Sequence, residues 1–241
     1  KGSGIHMNFK VASDIFEKIP NLYIGVVVAK GVDNHREYPE IEEKLSQAVA
    51  AAQQRFADTA VKKAPEIVPY RDAFRALGLN PNRFPCSVEA MFSRISKGKD
   101  MPHINPLVDL NNAVSLEHVI PMGTHDLGRS PQDIEMRYAV EGDTFVPFGA
   151  AEAEAVPAGE VVYAVGHEVR TRRWTWRQSE HGKITEDTQY VFFPIDGFTD
   201  VNREQVDQVR NELADILQHT FHCEVITGAV DKDHPACSLT R

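Results

Sequence analysis

Residues 102–126 of the chain read PHINPLVDLNNAVSLEHVIPMGTHD, and this stretch decides the fold prediction. Its apolar residues recur at helical spacing, which predicts an amphipathic helix over Asn105–His118. Four polar residues interrupt the positions that look buried: Asn105, Asp109, Asn111 and Asn112. Burying an amide or a carboxylate is costly unless it is hydrogen-bonded, so such groups usually fix a loop or line a pocket.

Two interpretations of these polar residues stay open. Asn and Asp side chains often bind nearby backbone groups, so the cluster would tie the helix to the loop that follows it. Alternatively, the residues after the helix, Pro121 to Asp126, form one wall of a ligand pocket.

Composition places the chain among ordinary globular proteins. Its 241 residues are 42% hydrophobic and 25% charged, enough for one sizeable core or two small ones. The longest apolar run, Tyr23 to Ala29, predicts a buried strand and is far shorter than the roughly 20 residues that span a bilayer. We therefore expect no membrane partner.

Cysteine count and charge narrow the setting further. The three cysteines form no CxxC pair, so we expect neither a disulfide scaffold nor a Cys-rich zinc site. A reducing cytoplasm is the expected location. The net charge of −9 argues against unaided binding of nucleic acid without regard to sequence, and no DNA partner is expected.

Periodicity predicts an α+β chain. The elements expected beside the helix already described are strands at Phe9–Ile15, Leu22–Ala29, Glu135–Val140, Thr144–Pro147, Val161–Val165, Arg170–Trp176, Gln189–Ile195 and Cys223–Gly228, and helices at Glu40–Thr59, Pro69–Leu77, Ser87–Ser96 and Asn202–His219. We interpret residues 1–7 (KGSGIHM) as the remnant of an expression tag. Residues 8–241 would then form one compact domain of two intimately joined lobes.

Val165 to Ser179, VGHEVRTRRWTWRQS, interleaves arginine with tryptophan. On a strand, alternate residues would share a face, and such a face suits stacking on bases and pairing with phosphates. The alternative is a sheet surface of cation–π contacts, or tryptophans that fill the core. We expect one tryptophan in the core and one arginine near a ligand.

Other catalytic patterns are missing from the sequence. It contains no HExxH, HxH, GxSxG or GxGxxG motif. His219 and His222 are three residues apart at the end of a predicted helix, where positive charge favours the helix dipole. We therefore expect no metal and no cofactor.

Over residues 65–230 the chain resembles the B3/B4 editing module of phenylalanyl-tRNA synthetase beta subunits. The matching residues are Asn105, Val108-Asp109, Asn112, Leu116-Glu117, Pro121, Asp126, Arg137, Ala139 and Gly142. The resemblance implies an α+β fold with helices packed on a mixed, mainly antiparallel sheet. It also leads us to expect a free-standing B3/B4 protein that does not aminoacylate by itself.

The resemblance implies site residues as well. Where the family reads Pro-Leu-His-Ala-Phe-Asp, this chain has Pro121 to Asp126, so Gly123 stands at the family's histidine and His125 two positions later. In the family this histidine helps to bind the terminal adenosine of tRNA and its ester, so the resemblance implies that either His125 takes over this role or the role is absent. The candidate catalytic residues are His125 and Thr124, and the candidate substrate-binding residues are Asn112, Gly123, Arg137, Gly166, Trp176, Arg177 and Asp196.

The function that the resemblance implies is trans-editing: hydrolysis of the ester that joins a wrong amino acid to the terminal ribose of tRNA. The partner would be the acceptor end of an aminoacyl-tRNA. One alternative is a non-catalytic module that binds an amino-acid-like ligand or a tRNA end. Another is a hydrolase for an unrelated small ester or amide.

Overall fold

The computed structural model describes residues 6–128 and 132–240. Its helices are α1 (Ser13–Lys18), α2 (Pro39–Arg55), α3 (Val68–Ala76), α4 (Ser87–Ser96), α5 (Pro106–His118) and α6 (Arg203–His219). Its strands are β1 (Asn8–Val11), β2 (Leu22–Lys30), β3 (His125–Asp126), β4 (Ile134–Tyr138), β5 (Thr144–Phe145), β6 (Glu154–Ala155), β7 (Val161–Val165), β8 (Glu168–Arg172), β9 (Arg177–Gln178), β10 (Tyr190–Phe198), β11 (Glu224–Val230) and β12 (Ala236–Ser238).

The strands form two sheets. The large sheet has the order β12-β1-β4-β7-β8-β5-β6, with β9 paired to β8, and the small sheet has the order β11-β2-β10-β3. Pairing is antiparallel except between β1 and β4 and between β5 and β8. The α+β class and the mixed, mainly antiparallel pairing are therefore confirmed, on two sheets where one was expected.

The central strands of the small sheet, β2 and β10, are buried on both faces. Strand β2 is rich in valine and isoleucine, which suit a strand with no solvent face. Ile24 and Val26 point into a core that also holds Phe9 and Met136 of the large sheet. Residues on the opposite face pack against α6 in a second core. The central strands are thus held between two layers of apolar side chains.

Most predicted elements are present with bounds shifted by a few residues. Two predictions are wrong. The strand predicted at Phe9–Ile15 ends at Val11, and α1 begins two residues later. The strand predicted at Arg170–Trp176 ends at Arg172, because the two residues that follow have left-handed backbone conformations. Its expected alternation of faces therefore does not exist beyond Arg172.

The fold begins earlier than the predicted boundary at residue 8. Met7 is fully buried, its backbone carbonyl accepts a hydrogen bond of 2.8 Å from Leu239, and its backbone amide donates to Thr240. Met7 is therefore part of the core and was wrongly excluded with the tag. Residues 1–5 of the proposed tag lie outside the described residues. None of the described helices is long and apolar enough to cross a membrane.

Candidate functional site

A cavity of about 500 Å³ lies beside α5, between the segment that follows this helix, the turn after β8 and the central strand β10. It is lined by seven of the nine predicted site residues: Asn112, Gly123, Thr124, His125, Trp176, Arg177 and Asp196. Residues distant in sequence therefore meet around one cavity.

The other two predicted residues lie elsewhere. Arg137 makes a bidentate ion pair with Asp143, at 2.6 and 2.9 Å, and donates a third hydrogen bond of 2.8 Å to the carbonyl of Gly166. Neither Arg137 nor Gly166 lines the cavity. The two residues join β4 to the β7–β8 turn, so the expectation that they would converge with His125 is wrong.

The polar residues of α5 divide between the two interpretations of the sequence. Asn105 caps the helix by accepting a hydrogen bond from the amide of Val108, and Asp109 accepts one from the amide of Ile104. Asn112 faces the cavity, and Asn111 both lines it and donates to the carbonyl of Met122. The helix therefore supplies both scaffold and site.

Pro194 interrupts the hydrogen-bond ladder of the small sheet beside the cavity. Strand β3 pairs with β10 at Val191 and Phe192, and further along Asp196 donates its amide to Pro121. Between these contacts Pro194 has no amide hydrogen to donate, although its carbonyl accepts from Gly123. The ladder therefore lacks one hydrogen bond at Pro194, next to Gly123 and Thr124, which line the cavity.

Asp196 forms the buried polar end of the cavity. Only 1% exposed, it accepts hydrogen bonds of 2.9 Å at Oδ1 from both the Tyr163 hydroxyl and the Trp174 indole. Burial raises the pKa of this carboxyl from 3.8 to about 6, against the opposing effect of the two donors. Neither of these two hydrogen bonds uses the second carboxylate oxygen, Oδ2.

His125 lies between two aromatic rings. Its ring centroid is 5.4 Å from that of Tyr163 and 5.6 Å from that of Phe192. Burial, together with the nearby charge of Arg170, lowers the pKa of His125 to about 3. The imidazole is therefore neutral at pH 7, and its Nδ1 is buried without a hydrogen-bond partner among the described residues.

Four buried polar atoms around the cavity have no hydrogen-bond partner within the described part of the chain. They are Ser87 Oγ, Asn111 Oδ1, His125 Nδ1 and Thr175 Oγ1. Buried polar groups are normally satisfied, so a cluster of exceptions at one cavity indicates a polar ligand or bound water there. Ser87 and Thr175 were not predicted from the sequence, because no pattern marks a hydroxyl that has no partner among the described residues.

The turn after β8 is built from an unusual pair of residues. Arg173 and Trp174 both have positive φ, 48° and 60°, in a region that side chains other than those of glycine, asparagine and aspartate seldom adopt. Trp174 is fully buried, and its bond to Asp196 holds this conformation. The next residues, Thr175 to Arg177, are thereby turned towards the cavity.

A larger groove, of about 1140 Å³, lies at another edge of the small sheet and is lined by Asp33, Glu186 and Asp187 among others. None of the buried polar atoms without a partner in the described residues lines it. The smaller cavity is therefore the better candidate site.

One group of side chains has the spacing of metal ligands within the described ranges: Glu117, His118 and Glu212. The ammonium group of Lys44 lies 3.0 Å from both glutamates, and His118 is 2.6 Å from Glu212. These contacts hold the pKa of Glu212 down at about 2, with the His118 bond as the largest cause. The group is an ion-pair network that joins α2, α5 and α6.

Comparison with known proteins agrees with this architecture. A family model described as B3/4 domain matches residues 69–222, more than half of the chain. A solved N-terminal fragment of the phenylalanyl-tRNA synthetase beta subunit from Pyrococcus horikoshii is similar in fold, with a TM-score of 0.51 and 11% identity. The match covers 95% of this chain but only 55% of that fragment. No curated protein matched.

Proposed function

This chain belongs to the B3/4 domain family, and we propose that it is an ester hydrolase that removes a wrongly attached amino acid from the terminal ribose of a tRNA. The chain spans about half of the synthetase fragment to which it is similar, so the aminoacylation activity of a synthetase is not part of the proposal.

The observation that carries the proposal is the set of buried polar atoms without partners around the cavity, together with the carboxylate of Asp196. An aminoacyl ester offers an ammonium group, a carbonyl and ribose hydroxyls, which complement hydroxyl, amide and carboxylate groups. The cavity volume of about 500 Å³ is in the range of small-ligand sites.

Hydrolysis places modest demands on such a site. A water oxygen attacks the ester carbonyl carbon, the bond to the ribose oxygen breaks, and that oxygen leaves with a proton derived from the water. Aminoacyl esters are activated, so orientation of water and ester supplies most of the rate enhancement. In this scheme His125 and Thr124 orient the water and the carbonyl, and Asp196 binds the ammonium group of the amino acid.

Gly123 stands where the synthetase pattern has histidine and His125 where it has phenylalanine, and the geometry around Gly123 fits this scheme. A Cβ atom at Gly123 would lie 3.0 Å from Pro194 Cγ and 3.6 Å from His125 Nε2. A large side chain at position 123 would therefore collide with Pro194, while the imidazole of His125 already reaches this neighbourhood. We propose that His125 acts here in place of the family's histidine.

Release of amino acid from a panel of mischarged tRNAs tests the proposal. We expect turnover on at least one pair, and a loss of about 10²-fold or more in His125→Ala if it orients the reacting groups. Arg177→Ala should mainly raise KM. His219→Ala is the control, since this side chain is 75% exposed and lies outside the cavity. No turnover on any pair at micromolar protein would refute the function.

A specific observation favours a second candidate, a non-catalytic module that binds an amino-acid-like ligand. With its pKa lowered to about 3, His125 is a weak proton acceptor at pH 7. A thermal-shift screen with free amino acids and non-hydrolysable aminoacyl-adenosine analogues separates the candidates. Stabilisation by the analogues without turnover of any mischarged tRNA would favour binding alone.

A further inference from the structure

Three arginines and two aromatic rings from separate segments form a continuous stack beside the cavity. We call Arg83, Phe84, Arg173, Trp176 and Arg177 the arginine–aromatic stack. The guanidinium of Arg173 lies 3.8 Å from the ring centroid of Phe84 and 4.5 Å from that of Trp176. Arg83 lies over Phe84 at 5.2 Å and Arg177 over Trp176 at 4.3 Å, which completes the alternation.

The charges at the two ends of this stack are uncompensated within the described residues. Arg173 is 3.3 Å from Glu160, whereas no ion pair is recorded for Arg83 or Arg177, and both are exposed. Concentrating positive charge at one place is unusual on a protein of net charge −9. Such a surface is complementary to a polyanion.

The stack also continues from the cavity. Trp176 and Arg177 line the cavity, and Phe84 packs edge-on against Trp176 at 4.9 Å. Arg83 extends the surface away from the cavity, at the end of the turn between α3 and α4. A chain whose terminal unit occupied the cavity would therefore pass over the stack.

From this placement we propose that the arginine–aromatic stack binds single-stranded RNA, holding the phosphates of the nucleotides that precede a terminal ribose in the cavity. The inference rests on the proposed function for the position of that ribose. The rings hold the exposed guanidinium groups of Arg83 and Arg177 at the two ends of the stack, where a planar guanidinium can stack on a base and pair with a phosphate, whereas an acidic peptide would use the charges alone.

Binding of uncharged RNA tests the proposal without requiring catalysis. The probe is a short fluorescent single-stranded RNA that ends in a 3′ adenosine, titrated with the whole protein between about 50 and about 200 mM salt. An acidic peptide of equal charge is titrated in parallel. The variants are Arg83→Gln, Arg83→Lys and, as a control, Arg55→Gln, which removes another exposed arginine that lies over a ring.

Each lost phosphate contact lowers the salt slope by about 0.7, which corresponds to about fivefold in Kd at 0.1 M salt. Arg83→Gln should show both changes. Arg83→Lys should keep the slope because the charge remains, and Arg55→Gln should match the wild type. An unchanged slope in Arg83→Gln, an equal loss in Arg55→Gln, or equally tight binding of the acidic peptide would overturn the proposal.

The outcome is separable from that of the deacylation assay. If Arg83→Gln loses salt slope while no tRNA is deacylated, the stack stands as an RNA-binding surface and the hydrolase proposal falls. If deacylation occurs while the slope is unchanged, the stack proposal falls alone.

Discussion

Replacing Asp196 by asparagine should stabilise the protein at neutral pH. The ionised carboxylate is buried, and the difference between its pKa of about 6 and the ordinary 3.8 corresponds to about 3 kcal/mol. Asparagine is close in shape and keeps an acceptor oxygen for the Tyr163 hydroxyl and the Trp174 indole. It removes the buried charge and places an amide nitrogen at the position of Oδ2, which neither donor uses.

The sign of the effect follows from proton linkage. Since the folded-state pKa is raised, the folded protein holds this proton to higher pH than the unfolded chain does. The contribution to stability is therefore fully present below about pH 4 and is lost as pH rises through about 6. Asp196→Asn lacks this loss, so its advantage over the wild type should grow by about 2–3 kcal/mol between pH 4 and pH 8.

Urea unfolding of both proteins at a series of pH values measures the difference, since each free energy of unfolding is extrapolated to water. Asp72→Asn is the matched control, because this carboxylate on α3 is 67% exposed. A difference between wild type and Asp196→Asn that does not change with pH would refute the reasoning. A gain in stability accompanied by lost ligand binding would show that the carboxylate is kept for function at the expense of stability.

Three further predictions concern neighbouring residues. His125→Leu should be more resistant to acid than the wild type. Because the folded-state pKa of His125 is lowered to about 3, wild-type stability falls as pH drops below 6.5, by about 3 kcal/mol between pH 7 and pH 4. Equal acid profiles of the two proteins in urea unfolding would contradict this. Trp174→Phe removes a donor to Asp196 and should cost about 1–3 kcal/mol in the free energy of unfolding, with a loss below about 0.5 kcal/mol as the contrary result. Gly123→Ala brings a methyl group 3.0 Å from Pro194 and should lower the free energy of unfolding by about 1–2 kcal/mol. It should also impair ligand binding, measured by thermal shift. Unimpaired binding would show that the cavity accommodates a side chain at position 123.

The sequence was sufficient to predict the elements whose pattern is local. Strand Val161–Val165 and helix Ser87–Ser96 have the predicted bounds, because an apolar run bounded by turns and a helical apolar stripe determine them directly. The loop at Gly123 and His125 was also located, since it follows an identifiable helix. These features depend on neighbours in sequence.

The turn at Arg173 and Trp174 could not be predicted in the same way. Left-handed turns are normally marked by glycine, asparagine or aspartate, and this one contains none. The conformation depends on the burial of Trp174 and its bond to Asp196, a residue from a distant strand. The same long-range dependence concealed Thr175 as a lining residue.

The two faces of strand β10 have a consequence for how this protein can change. Asp196 and Pro194 border the cavity, whereas the intervening Phe193 and Ile195 pack in the core against α6. The cavity and the α6 layer thus contact alternating positions in this part of the strand. Substitutions at positions 194 and 196 can therefore alter what the cavity accepts without contact with the α6 layer, so evolution, or an engineer, can change ligand preference on this strand while the packing against α6 is kept.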